Sequence, residues 1–127
     1  MTFSEALYFH VTNVAADSRV YAVSAPAVDA ALSTVVVIAF EGATFTGLGA
    51  PSTREALYTI TVVSLDHAAA VTLSESLAIS LVGFSGIMGG AGGVDVIDID
   101  ASESPEEFDP EHSLFARNVA LRVTYEF

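Results

Sequence analysis

Leu114-Phe115-Ala116-Arg117-Asn118-Val119-Ala120-Leu121-Arg122-Val123-Thr124-Tyr125-Glu126-Phe127 is the stretch on which the fold turns. From Val119 onward the residues alternate without a break. Val119, Leu121, Val123, Tyr125 and Phe127 share one parity, and Asn118, Ala120, Arg122, Thr124 and Glu126 share the other. A period of two is the signature of a strand with one buried face, and it fixes the register, because a slip of one residue would turn the apolar set outward.

A strand of this kind needs neighbours. Arg54 to Leu65 supplies one: Tyr58, Ile60 and Val62 line one side, and Leu57, Thr59, Thr61, Val63 and Leu65 the other. That second side is only half polar, so a neighbour is expected to cover it. Residues 33 to 41 are β-branched and apolar and suit a buried strand, and Arg19 to Val23 is a shorter candidate before the turn Ser24-Ala25-Pro26-Ala27. Val94 to Asp100 is a strand whose parity slips, since Val94 and Val96 disagree with Ile97 and Ile99; a β-bulge near Val96-Ile97 would reconcile them.

Two segments carry a helical period instead. In residues 2 to 16, Phe3, Leu7, Val11 and Val14 form one stripe, Thr2 and Glu5 have capping-box spacing, and Asp17-Ser18 ends the run. In residues 67 to 82 the stripe is Ala70, Leu73, Leu77 and Leu81, with Asp66 as N-cap and Gly83 as the residue after the helix. Three connections remain: Gly42 to Thr53, the glycine-rich run Gly83 to Gly93, and the acidic, proline-containing run Ala101 to Ser113. The order α, β-β-β, α, β-β predicts an α+β domain spanning residues 1–127: an antiparallel sheet of about five strands with two helices packed on one face.

Composition bounds what such a domain can do. The chain has 127 residues, of which 52% are hydrophobic and 16% charged. It is too apolar for a disordered chain, and slightly rich for a free monomer. There is no cysteine, which removes disulfides, thiolate metal sites and cysteine nucleophiles and suits folding in a reducing cytoplasm. No apolar run approaches the ~20 residues of a membrane-crossing helix. The first residues lack the basic and apolar regions of a secretory signal, so none is expected.

Sixteen acids face four bases, for a net charge of −12. All four bases are arginines, Arg19, Arg54, Arg117 and Arg122, and lysine is absent. Such a balance opposes binding to the outside of nucleic acid, where phosphate contacts supply most of the affinity. It also opposes anionic membranes. It suits either simple solubility or a salt-loving host.

Catalytic patterns are missing. His10, His67 and His112 have no metal-pair spacing. Gly83-Phe84-Ser85-Gly86-Ile87 lacks the last glycine of a nucleophile elbow and follows a helix rather than a strand. A P-loop needs a lysine, and Gly86 to Gly93 opens a strand where a dinucleotide fingerprint opens a helix. Paired carboxylates lack the pocket chemistry that would make them catalytic. The run from Asp98 through Asp100 to Asp109 has part of a twelve-residue calcium loop. Glu103 stands where that loop needs glycine, and Pro105 follows two positions later. Asp98, Asp100 and Asp109 are therefore a weak cation candidate only, and no cofactor is expected.

The layout resembles the small tail-completion, or tail-terminator, proteins of long-tailed, siphovirus-like phages and viruses. The resemblance rests on an ordered set of motifs. Glu5-Ala6-Leu7-Tyr8 opens the first helix, and Arg19-Val20-Tyr21 leads to the turn at Ala25-Pro26. The arginine-initiated strand Arg54 to Leu65 feeds the second helix. Leu81-Val82-Gly83-Phe84-Ser85-Gly86 is similar to an L-x-G-F-x-G junction. Asp109-Pro110-Glu111 then leads into Leu114-Phe115-Ala116-Arg117 through Val123-Thr124-Tyr125-Glu126. Absence of lysine and the glycines from Gly89 to Gly93 depart from that pattern.

The resemblance implies a non-enzymatic virion subunit, made in the host cytoplasm, that forms a sixfold homo-oligomeric ring at the head–tail junction. Such a ring caps the tail-tube protein, docks to the head connector and lets DNA pass without holding it; no membrane is involved. The loops bearing Gly42, Gly47 and Thr53, and Glu103, Glu106 and Asp109, are the expected contact regions, ordering on assembly. The rival readings are a head-completion adaptor, a tail-tube subunit, or a small acidic ligand-binding or enzymatic domain.

Overall fold

In the computed structural model the described residues are 2–15, 19–21, 34–46, 53–104, 107–110 and 114–126. The alternating C-terminal stretch is β7 (Leu114–Glu126), and it lies inside the sheet. On one side it pairs antiparallel with β3 (Thr53–Ser64) along its length, Tyr58 opposite Leu121 and Ile60 opposite Val119. On the other it pairs antiparallel with β5 (Val94–Glu103). Val119, Leu121, Val123 and Tyr125 are buried, as are Ala56, Tyr58, Ile60 and Val62 across from them. The alternation therefore settles both faces at once.

Outside this centre, β2 (Thr34–Thr46) pairs antiparallel with β3, and β1 (Arg19–Tyr21) joins β2 in parallel. At the opposite edge β4 (Gly86–Met88) pairs with β5. The order is β1-β2-β3-β7-β5-β4, with β6 (Glu107–Asp109) also on β7. The domain is α+β, as the pattern of elements predicts. Two three-residue strands, β4 and β6, bring the expected sheet of about five strands to seven among the described residues, and one of its pairings is parallel.

Both helices cover the same sheet face. α1 (Phe3–Val14) is capped by Thr2, whose hydroxyl accepts from the Glu5 amide at 3.2 Å, and it buries Phe3, Ala6, Leu7 and Val11. Its helical geometry stops at Val14, short of the expected residue 16; Asp17-Ser18 lies outside the described residues. α2 (His67–Leu81) is capped by Asp66, which accepts from the Ala68 amide, and buries Ala70, Ser74, Leu77 and Leu81. Gly83 follows it with φ +72°, a left-handed conformation that suits glycine, and donates its amide to the Ile99 carbonyl at 2.8 Å. Arg117 ties this layer to the sheet: its Nε donates to Ser74 Oγ at 2.9 Å and it pairs with Glu103 at 3.2 Å. His10 Nε2 and Ser80 Oγ, 3.2 Å apart, join the helices to each other.

The predicted bulge is present: the β5–β7 register shifts between Val96 and Asp98, leaving Ile97 as the extra, exposed residue. Both flanking sets, Val94 with Val96 and then Ile99, thereby reach the core.

Candidate functional site

Both of the expected contact loops carry strand among their described residues. Gly42 is not in a loop; β2 shifts register between Phe40 and Gly42 and continues to Thr46. Gly42 sits opposite Leu57, and Thr53 opens β3 opposite Thr46. A glycine that looks like a break instead accommodates a bulge. Gly47 lies outside the described residues. The acidic run likewise holds ladder at 101–103 and 107–109. β5 reaches Glu103, the Ser104 amide donates to the Asn118 carbonyl at 3.0 Å, and β6 resumes the same side of β7 with Phe108 opposite Phe115. Glu106 is outside the described residues, as is the side chain of Asp109.

The ladder places the cation candidates apart along the sheet. Asp98 is opposite Thr124 and Asp109 opposite Leu114. Ten residues of β7 separate those positions, about 33 Å at a strand rise of ~3.3 Å. A calcium loop must curl around its ion, whereas Val94–Glu103 and Glu107–Asp109 are extended strands. Asp98 and Asp100 are exposed on the sheet face away from the helices, with Asp100 opposite Arg122. No group of three His, Asp or Glu side chains that could hold a metal occurs among the described residues.

The histidines do not converge either. His10 faces Ser80 near the end of α2, and its ring meets Phe84 edge-on at 5.6 Å. Burial holds its pKa below the ordinary value. His67 begins α2 and meets Phe115 at 5.1 Å. Thirteen residues of helix separate His67 from Ser80, about 20 Å. His112 lies outside the described residues.

A concavity lies at one end of the sheet, where β2, β3, β5 and β7 meet the start of α1. It has a volume of about 550 Å³, within the range of roughly 300–1,000 Å³ typical of ligand sites. Its wall is aromatic. Phe3 stacks on Tyr125 at 4.8 Å and tilts against Tyr58 at 5.3 Å, and Phe40 lies 5.3 Å from Tyr58. Ser4 Oγ and Tyr58 Oη share a hydrogen bond of 2.8 Å. Burial pushes the Tyr58 phenol above its usual range, while that bond and the charge of Arg54 pull it back. The phenol therefore stays neutral at physiological pH.

Arg54 also lines the cavity, its guanidinium 5.8 Å from the centre of the Phe40 ring. Thr2, Asp95 and Glu126 add polar lining, and Gly92-Gly93 brings bare backbone to the wall. Gly93 must be glycine, because a Cβ there would run into the Met88 carbonyl oxygen. The cavity offers ring faces and one guanidinium. Aromatic faces beside a guanidinium suit recognition of a ring or an acidic group. Sequence reasoning did not find it, because its lining comes from five elements far apart in the chain. The signal was the core parity shared by Tyr58 and Tyr125.

The sheet face away from the helices carries Val35, Val37, Leu57 and Val63 on β2 and β3, and acids on β5. The half-apolar second face expected from the sequence is thus present, and none of the described elements covers it. At its centre Thr61 donates to Asn118 at 2.7 Å, and Arg122 pairs with Glu55 at 3.4 Å. Being exposed, that pair contributes little to stability.

No family model matches the chain, and no curated protein matches it. Among solved structures it is similar to a chain of the "Virion of native gene transfer agent (GTA) particle". The match has a TM-score of 0.67 and 12% sequence identity, and covers 92% of this chain and 84% of that one. At this identity the likeness is one of fold.

Proposed function

We propose that this chain is a virion structural subunit, and within the virion the tail terminator: a subunit of a sixfold ring that caps the tail tube and docks to the head connector. The observation that carries this reading is the match of fold to a virion chain over 92% of the length, together with the ordered motifs of the sequence. The exposed half-apolar sheet face supports it, since subunits that work only in assemblies keep such surface for their neighbours. The charge supports it too: a subunit with net charge −12 lets DNA slide past without holding phosphates. In this reading the chain catalyses nothing, and its location is the head–tail junction.

The experiment is to purify particles, identify the chain by mass spectrometry, and place it by antibody labelling in electron micrographs. Label at the head–tail junction is expected. Label along the tail would make it a tube subunit, and its absence from particles would end the virion reading. In solution a terminator stops at a closed ring, whereas a tube subunit polymerises on its own.

A further inference from the structure

We propose that the sheet face away from the helices is a docking surface for a basic amphipathic helix of an unlike protein partner. That helix lies along β7, with its apolar edge on β2 and β3 and its lysines or arginines over β5 and β6. The inference goes beyond the virion reading and stands on the chemistry of this face alone.

The face is divided lengthwise into two lanes. On one side of β7 its outward residues include Val37, Leu57 and Val63, with Leu57 42% exposed. On the other side they include Asp98, Asp100 and Glu107, all exposed. The ladder holds the lanes in step. Leu57 is opposite Arg122 and Arg122 opposite Asp100; Val63 is opposite Ala116 and Ala116 opposite Glu107. Each such row spans two strand spacings, about 10 Å, and an α-helix with its side chains is ~10 Å across. From Leu57 to Val63 the apolar lane runs six residues of β3, about 20 Å of strand, which matches about 13 residues of helix. At the Val63 end the face dips into a hollow of about 210 Å³, lined by Val63, Phe108, Leu114, Ala116 and Glu107. Four apolar side chains beside one carboxylate form a seat for an apolar anchor with a base next to it.

Charge selects the occupant. Among the described side chains of this face the base is Arg122, and it is paired with Glu55 at 3.4 Å. Asp98, Asp100 and Glu107 therefore remain as surplus negative charge. That surplus opposes nucleic acid and anionic membranes as covers. It also opposes a second copy, which carries a net charge of −12 and only four bases. Of these, Arg54 is in the cavity wall, Arg117 is held by Ser74 and Glu103, and Arg122 is on this same face. A basic partner meets the acids directly, and it loses that attraction as salt rises, the opposite of contact between two acidic copies.

The probe is a synthetic amphipathic peptide of leucine and lysine, about 14 residues long to match the lane. Its twin carries glutamate in place of lysine. Binding of each labelled peptide to the full chain is read by fluorescence anisotropy at low and at rising salt. The lysine peptide should bind and weaken with salt, and the glutamate twin should not bind. Asp98→Asn with Asp100→Asn should weaken binding roughly tenfold, and Leu57→Ser by a similar factor. Glu5→Gln with Glu75→Gln removes the same charge from exposed positions on the helices and should change binding less than about twofold. Equal losses from the two double variants would mean attraction to net charge without a site, and would overturn the proposal. So would failure of the lysine peptide to bind, binding of the glutamate twin, or a Leu57→Ser protein that binds as the parent does. The location of the chain in particles is read separately by labelling, so these outcomes leave the virion reading as it stands.

Discussion

Truncating Leu121 to alanine tests the central strand most sharply, because the same sheet supplies its own control. Leu121 is 2% exposed and stands between Tyr58 of β3 and Ala101 of β5. With strands on both sides and helices above, the site has little room to collapse. A Leu→Ala change in such a place costs about 2–5 kcal/mol. Unfolding entropy near 60 °C is roughly 2.1 cal/mol/K per residue, or about 270 cal/mol/K for a chain of 127 residues. The melting point should therefore drop by roughly 7–19 °C. Leu57 is the control: it is opposite Arg122, one residue over in the same ladder, and faces outward at 42% exposure. Leu57→Ala should cost under about 1 kcal/mol, a shift of at most ~4 °C. Calorimetry on the two variants and the parent, at a concentration where all are monomeric, reads the difference. Equal shifts, or a larger one for Leu57→Ala, would mean that the two faces are wrongly assigned and the register is off by one.

Three more perturbations follow from the structure. Burial lowers the His10 pKa in the folded state, so the unfolded chain binds the proton more readily; stability is full above the unfolded value of about 6.5 and declines as pH falls below it, and His10→Gln should flatten that slope in denaturant titrations between about pH 7.5 and 5.5. Assembly followed by light scattering should strengthen from low to molar salt while duplex DNA gives no mobility shift, because screening relieves acid–acid repulsion; tight DNA binding that weakens with salt would contradict the sliding ring. Deleting Ile97, the extra residue of the bulge, should leave a folded protein, since Val94, Val96 and Ile99 then alternate without a break. Deleting Ala120 from unbulged β7 would turn one half of that strand over, so only the second deletion should abolish cooperative melting.

Long, strictly patterned segments were legible in the sequence: β3, β7, both helices with their caps, and even the bulge in β5, which the parity slip at Val96-Ile97 announces. What stayed hidden was strand built from residues that ordinarily punctuate. Gly42 marks a bulge inside β2, and in the sequence a glycine there reads as the end of a strand. β4 has three residues, opening on Gly86 at φ +111° and ending just before Gly89 at φ +95°, too short for any period to register. β6 lies among acids and prolines with no apolar alternation, and its pairing comes from the ladder already laid down by β7. The cavity was out of reach for another reason. Each wall residue reads correctly as a core position, but only tertiary packing decides which core positions leave a space between them.

Central placement of β7 has a consequence for when the protein becomes a protein. Along its length β7 is the seam between two otherwise separate pieces, β1-β2-β3 on one side and β5 with β4 on the other. It is also the last described element to leave the ribosome. Until it arrives, β3 and β5 each expose an unpaired edge, and the pairings of β7 with β3 join residues 51 to 73 positions apart, as in Ser64 with Phe115 and Thr53 with Glu126. Contacts so distant in sequence form slowly, and open edges are where growing chains stick to one another. A nascent chain therefore has neither a finished sheet nor, since Tyr125 is part of its wall, a finished aromatic cavity. Translation itself keeps incomplete subunits out of any assembly that depends on either.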